Sequence, residues 1–161
     1  MSFTIRIAQP SELDTCARVI RESFGTVAAE FHLTAQNCPT NGAFTRRAHL
    51  LDYCKNGTQL FLLCTDDGPA GVVQLGRNRA GSFEMKKMSV LPRYRHCGYG
   101  GALLQFVRDK TAAQGGNRIT IGIIAENHRL KAWYKAHGFV STGCGAFPHL
   151  PFTVEWMTLS I

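Results

Sequence analysis

One stretch limits the possible folds more than any other. Residues 82 to 90 read as a strand that runs into Leu91-Pro92, and a glycine-bearing turn follows at 95 to 101. Ala102 to Gln114 then has the spacing of an amphipathic helix, with Leu103, Leu104, Phe106 and Val107 on its apolar side. Gly115-Gly116 ends it, and Arg118 to Ala125 is an Ile-rich strand. A strand, a helix and a strand in that order make a crossover within mixed α and β structure. The Ile-rich composition predicts that both faces of the second strand are covered.

The rest of the chain reads as mixed α and β. Phe3 to Ile7 alternates apolar and polar residues, as a half-buried strand does. Pro10 and Ser11 open a helix, with Ser11 as N-cap and Leu13, Ala17, Val19 and Ile20 on its apolar face. Between 24 and 57 the pattern is weaker: Cys38 to Gly42 is a loop, and Ala43 to Lys55 is a helix closed by Asn56-Gly57. Gln59 to Thr65 and Ala70 to Gly76 are strands joined through Asp66-Asp67-Gly68. Asn127 to His137 is a helix stopped by Gly138, and Phe139 to Thr142 and Phe152 to Leu159 are terminal strands. A length of 161 residues suits a single domain over 1–161, and 45% hydrophobic residues is enough for one core.

Several function classes recede at this level. No apolar run is long enough to cross a membrane, and the N-terminus has no signal-peptide pattern, so the expected compartment is the cytoplasm. Six cysteines form no C-x-x-C pair and no zinc spacing, so no metal site is expected and they read as free thiols, mostly small core residues. Eighteen Lys and Arg against 11 Asp and Glu give a net charge of +7. That charge fits a polyphosphate ligand as well as a nucleic acid. The basic residues are scattered in short groups rather than concentrated in one run, so nucleic acid is not the expected partner.

The turn itself carries the chemistry. Arg95-His96-Cys97-Gly98-Tyr99-Gly100 sets two glycines two apart at a helix start. Such a turn aims backbone N–H groups at one point, where the helix dipole favours an anion. Arg95 adds a permanent positive charge. The spacing fits neither a dinucleotide-binding G-x-G-x-x-G nor a P-loop. Arg95-x-x-Gly98-x-Gly100 does resemble the Q/R-x-x-G-x-G/A pyrophosphate loop of the Gcn5-related N-acetyltransferase (GNAT) superfamily. Downstream, Ile121 to Phe139 is similar to a second block of that family, with Asn127, Ala132, Tyr134, Gly138 and Phe139 matching in order. The two blocks cover about residues 82 to 142.

The resemblance implies a fold, a cofactor and a site. The fold is an α/β (mixed α+β) one: a mixed, mostly antiparallel twisted sheet of six to seven strands, with a splayed parallel pair and about four flanking helices. The cofactor is acetyl-coenzyme A. Backbone groups of Met88, Ser89 and Val90 would pair with its pantetheine arm, and amides of His96, Cys97, Gly98, Tyr99, Gly100 and Gly101, beside Arg95, would hold the pyrophosphate. Asn127 would contact the cofactor, and Tyr134 would approach its sulfur.

Acetyl transfer to an amine needs a neutral amine, a polarised carbonyl and a proton for the leaving thiolate. The Val90 N–H is the candidate oxyanion donor and Tyr134 the candidate acid, with core packing of the helix as the alternative for Tyr134. Glu84, on the strand that feeds the loop, is the candidate base. Its alternative is an ion pair with Lys86 on the same strand face. Glu126, at a helix start, and loop His149 are rivals. The expected acceptor is a primary amine on a small molecule. A protein N-terminus or lysine, or cofactor sensing without turnover, are the other readings, in a monomer or homodimer. Phe24, Phe31, His32, Phe44 and Tyr53 are candidates to line the acceptor pocket, again against plain core packing.

Overall fold

The computed structural model describes residues 2–161. Seven strands and four α-helices follow one another: β1 Phe3–Ile7, α1 Leu13–Glu30, α2 Arg47–Lys55, β2 Gln59–Thr65, β3 Gly68–Arg77, β4 Phe83–Val90, α3 Tyr99–Ala113, β5 Arg118–Ile124, α4 His128–Ala136, β6 Val140–Ala146 and β7 Thr153–Ser160. The strands form one sheet in the order β1-β2-β3-β4-β5-β7-β6. β4 and β5 run parallel, as the crossover through α3 requires, and every other neighbouring pair is antiparallel.

Two cores lie on opposite faces. On one, Phe61, Leu63, Val73, Leu75, Phe83, Met85, Ile119, Ile121, Ile123, Met157 and Leu159 pack against Leu103, Leu104 and Val107 of α3 and Tyr134 of α4. On the other, Leu60, Leu62 and Val72 pack under Leu13, Cys16, Ala17, Val19 and Ile20 of α1 and Leu50 of α2. Alternation along each strand sends successive side chains to opposite cores. Burying each large apolar side chain contributes roughly 1.5–3 kcal/mol. A third cluster, Ala28, Leu33, Cys38 and Ile124 with Leu150 and Phe152, sits where the end of α1 and its following loop meet the end of β5.

Several expectations need correction. The first helix does not use Ser11 as N-cap: a 3-10 turn over Pro10–Glu12 precedes α1 and is capped from Gln9. Glu12 decides this, because its carboxylate accepts the Gln9 N–H at 2.9 Å while gripping Arg6 at 2.7 and 2.8 Å. The second helix starts at Arg47 rather than Ala43, because Gly42–Phe44 forms a 3-10 turn capped by the Asn41 side chain. α3 begins at Tyr99, three residues before the apolar pattern starts. Cys16 and Cys38 are buried, but Cys54, Cys97 and Cys144 are exposed; all six are free thiols. Only one face of β5 is fully covered. Ile119, Ile121 and Ile123 are buried on the α3–α4 side, whereas Gly122 on the opposite side is exposed.

Candidate active site

The site begins with a parting of strands. The parallel register of β4 and β5 joins Phe83 to Ile119 and Glu84 to Thr120. Beyond those positions, among the described residues, no pairing links the two strands, although β4 continues to Val90 and β5 to Ile124. A bulge in β4 accompanies the parting. Ser89 pairs with Val72 and Lys86 with Gln74, so Lys87 and Met88 face Val73 alone. Lys87 has φ +53°, and a bulge of this kind bends its strand. The Lys87 ammonium donates to the Thr40 carbonyl at 2.9 Å and lies 5.6 Å from the centre of the Phe24 ring. Burial, helped by neighbouring Lys86, lowers its pKa to about 8. The gap thus opens between the backbone edges of residues 85–90 and 121–124.

At the end of the gap stands the glycine turn. A 3-10 turn at Pro92–Tyr94 leads to His96 at φ +62° and Gly98 at φ +85°, and Gly98 is the residue that starts α3. Left-handed residues at 96 and 98 turn the backbone at the positive end of a 15-residue helix, a geometry of the kind that can receive an anion. A side chain at Gly98 would meet nothing within 4 Å, so its backbone angle, not crowding, calls for glycine there. At Gly100 the reason is space, since a Cβ would come 3.3 Å from the Trp133 ring of α4. Arg95 is occupied elsewhere. Its Nη2 donates to the Ser23 carbonyl at 2.9 Å, which ties α1 to the loop.

The candidate side chains fare differently. Tyr134 is buried among the residues of the gap, sharing a cluster with Met85, Ile121, Ile123 and Tyr99. Its ring stands edge-on to Trp133 and to Phe139, each at 5.1 Å. Burial pushes its pKa up, so the hydroxyl keeps its proton at neutral pH. Glu84 is half-buried on the α1 side of the sheet, and its Oε1 lies 2.9 Å from the Lys86 ammonium. The Asn127 side chain accepts from the Leu130 N–H at 3.2 Å and so caps α4. The Glu126 carboxylate accepts from the Thr153 N–H at 3.0 Å. His149 is exposed in the β6–β7 loop, 5.7 Å from the Phe147 ring. Of the aromatic residues proposed for a pocket, Phe31 lines a cavity and Phe24 packs against Gly42, while Tyr53 is exposed.

One residue escaped the sequence reading. Ser23 of α1 is buried, and its Oγ accepts the Val90 N–H at 3.2 Å. The candidate oxyanion donor is therefore already hydrogen-bonded in this structure. Ser23 continues the buried stripe of Cys16, Val19 and Ile20 at helical spacing. A lone serine on such a stripe was the available signal.

No helix among the described residues is long and apolar enough to cross a membrane. The family model for the acetyltransferase (GNAT) domain matches residues 56–141. An uncharacterized N-acetyltransferase of Mycobacterium tuberculosis is 28% identical over 101 residues, covering 62% of this chain and 65% of that protein, just under two thirds of its length. The crystal structure of the ribosomal-protein-S18-alanine N-acetyltransferase from Escherichia coli has a TM-score of 0.77 to this one at 16% identity, covering 99% of this chain and 94% of its own. PaiA N-acetyltransferase from Thermoplasma acidophilum, solved in complex with coenzyme A, also has a TM-score of 0.77, at 17% identity over 100% of both chains. At these identities the structural likeness establishes the fold.

Proposed function

The chain belongs to the acetyltransferase (GNAT) family, and from that premise we propose that it is an N-acetyltransferase moving an acetyl group from acetyl-coenzyme A directly to a primary amine of a small molecule. The observation that carries the reading is the parting of β4 from β5 after two paired positions, at whose end the turn around Gly98 opens α3. A thioester arm has the backbone edges of Met88–Val90 beside it in that gap, and a pyrophosphate has the amides of 96–101. The neighbour solved with coenzyme A shares the fold. The cytoplasm is the compartment that fits.

Acetyl-coenzyme A supplies an activated acetyl group as a thioester. The protein's part is positional and electrostatic. The α3 N-terminus offers amides and a helix dipole to the pyrophosphate. Tyr134, held protonated by burial, is placed to give a proton to the leaving thiolate. Glu84, at the last paired position before the gap, is placed to take the acceptor's proton through water once it releases Lys86. The Val90 amide, now bonded to Ser23, would be the group to polarise a thioester carbonyl brought to it.

A free-thiol release assay over a panel of primary amines tests the reading. Turnover should require both acetyl-coenzyme A and an amine, and Glu84→Gln should lower kcat/KM while cofactor affinity is retained. Binding of acetyl-coenzyme A without release of thiol for any amine, peptide N-termini included, would leave only the sensing alternative. Faster turnover of a peptide N-terminus than of any small amine would favour the second reading, the one that the named activity of the Escherichia coli neighbour illustrates.

A further inference from the structure

The helix-bearing faces leave one part of the sheet bare. On the α1 side, α1 and α2 cover β2 and β3, and the loop after α1 covers Ile124 at the end of β5. Strand alternation puts Thr120 and Gly122 of β5 and Val154, Trp156 and Thr158 of β7 on this same face. Gly122 is exposed, and Trp156 is 39% exposed although it stands mid-strand.

Gly145 seats that indole, and Gly122 flanks it. A Cβ at Gly145 on β6 would meet its Cη2 and Cζ3 at 2.7 and 2.9 Å, and a Cβ at Gly122 on β5 would meet its Cδ1 and Nε1 at 3.8 Å. The ring therefore lies as a plate across β6, β7 and β5, with its pyrrole edge toward the gap. Glycine inside a strand weakens it and marks a close approach. Here the close approach is at Gly145; at Gly122 the indole stands at ordinary contact distance, with Val154 Cγ1 nearer at 3.5 Å. Phe147 props the plate edge-on at 5.9 Å, and beyond Gly145 a cavity of about 350 Å³ is lined by Phe31, Ala146, Leu150 and Phe152, among others. On the other flank, Glu84 is registered with Thr120, beside Lys86. Lys87, its ammonium on Thr40, closes the β4 side.

We propose that this trough is the acceptor site and that it takes a primary amine carrying an aromatic ring on a short alkyl chain, the ring stacked on Trp156 and the amine reaching past Gly122 into the gap, with Glu84 met through water. The proposal rests on the acetyltransferase reading above. Trp156 pairs with Gly122, one strand spacing or about 5 Å from β7 to β5 and at the level where β5 has parted from β4, so a ring on the indole and a short chain reach the gap. The exposed surface of the plate is a flat π face, and aromatic rings gain from offset stacking beyond the area they bury. A cation could also sit on an indole. Lys86 and Lys87, however, place two positive charges on the β4 flank, which opposes an acceptor with a second ammonium. The step is acetyl transfer. The neutral amine nitrogen bonds to the carbonyl carbon, the carbon–sulfur bond breaks, one amine proton leaves by way of Glu84, the thiolate takes a proton from Tyr134, and solvent returns that proton to Tyr134.

The test compares 2-phenylethylamine, butylamine and spermidine as acceptors for the wild type, Trp156→Ala, Trp156→Phe and Gly145→Ala. Wild type should prefer 2-phenylethylamine over butylamine by about tenfold in kcat/KM, mainly through KM. Trp156→Ala should abolish the preference, Trp156→Phe should keep most of it, and Gly145→Ala, which pushes the plate off its seat without removing it, should reduce it. Calorimetry with acetyl-coenzyme A and thermal melting report whether each variant is folded. Equal use of the two monoamines, a preference that survives Trp156→Ala, or spermidine as the best acceptor would overturn the proposal while leaving the acetyltransferase reading intact. If no amine is acetylated, calorimetric titration of 2-phenylethylamine into the coenzyme A complex separates the two ideas. Binding lost in Trp156→Ala keeps the site and removes the activity; no binding in the wild type removes both.

Discussion

Gly98 allows the anion-binding loop to be tested with strain and charge kept apart. The residue sits at φ +85° with no atom within 4 Å of where a Cβ would stand. Any L side chain there costs about 1–2 kcal/mol of backbone strain, and steric crowding adds nothing. For a chain of this size, each kcal/mol moves Tm by roughly 2–4 °C, so Gly98→Ala should melt about 2–8 °C lower. Asn and Asp tolerate left-handed angles better than Ala. A carboxylate at a helix N-terminus adds about 0.3–1 kcal/mol through the dipole. Gly98→Asp should therefore melt at or above Gly98→Asn, and both above Gly98→Ala. Binding should run the other way. A unit charge about 4 Å from a phosphate oxygen costs about 1 kcal/mol at the dielectric of water and about 4 kcal/mol at an effective dielectric of 20. Calorimetry with coenzyme A should then give a Kd for Asp higher than for Asn by a factor between about 5 and 10³. Equal affinity of the Asp and Asn variants would refute the assignment of the pyrophosphate to this loop, and an Ala variant as stable as wild type would refute the strain argument.

Tyr134→Phe removes a hydroxyl and keeps the ring that packs on Trp133 and Phe139, so turnover should fall by about 10²-fold or less with coenzyme A affinity retained, as measured by thiol release and calorimetry. Glu12 is held at about 2 by Arg6 and the Gln9 amide, below its usual 4.3, so the stability it contributes is present above that value and is lost as pH falls toward 2. Urea unfolding across pH 2 to 5 should show a shallower acid loss in Glu12→Gln; an unchanged slope would dismiss the Arg6 pair as a stabilising contact. Lys87 has the opposite linkage: between about pH 8 and its usual 10.4 the unfolded chain binds a proton that the folded chain does not, so stability gains with pH in that window. Lys87→Met should lose that gain relative to wild type in denaturant titrations at pH 7.5 and 10.

Local chemistry was enough for much of this protein. The turn at 95–101, the helix after it and the strands on either side are set by residue spacing and by what glycine permits, so this strand–turn–helix–strand unit was legible in the sequence. Gln59 to Thr65 was readable for the same reason: an apolar run ends at an Asp-Asp-Gly turn. Other features depend on partners far along the chain. The start of the first helix turns on Glu12 meeting Arg6 of the neighbouring strand, which overrides Ser11. The parting of β4 from β5 accompanies a bulge at Lys87, whose left-handed angle no sequence rule assigns to lysine. Ser23 matters because the fold brings its hydroxyl to an amide 67 residues away. The Ile-rich β5 suggested two covered faces, yet only packing decides coverage. The helices end short of Gly122, and Trp156 lies flat on that bare face because Gly145 on the neighbouring strand leaves it room.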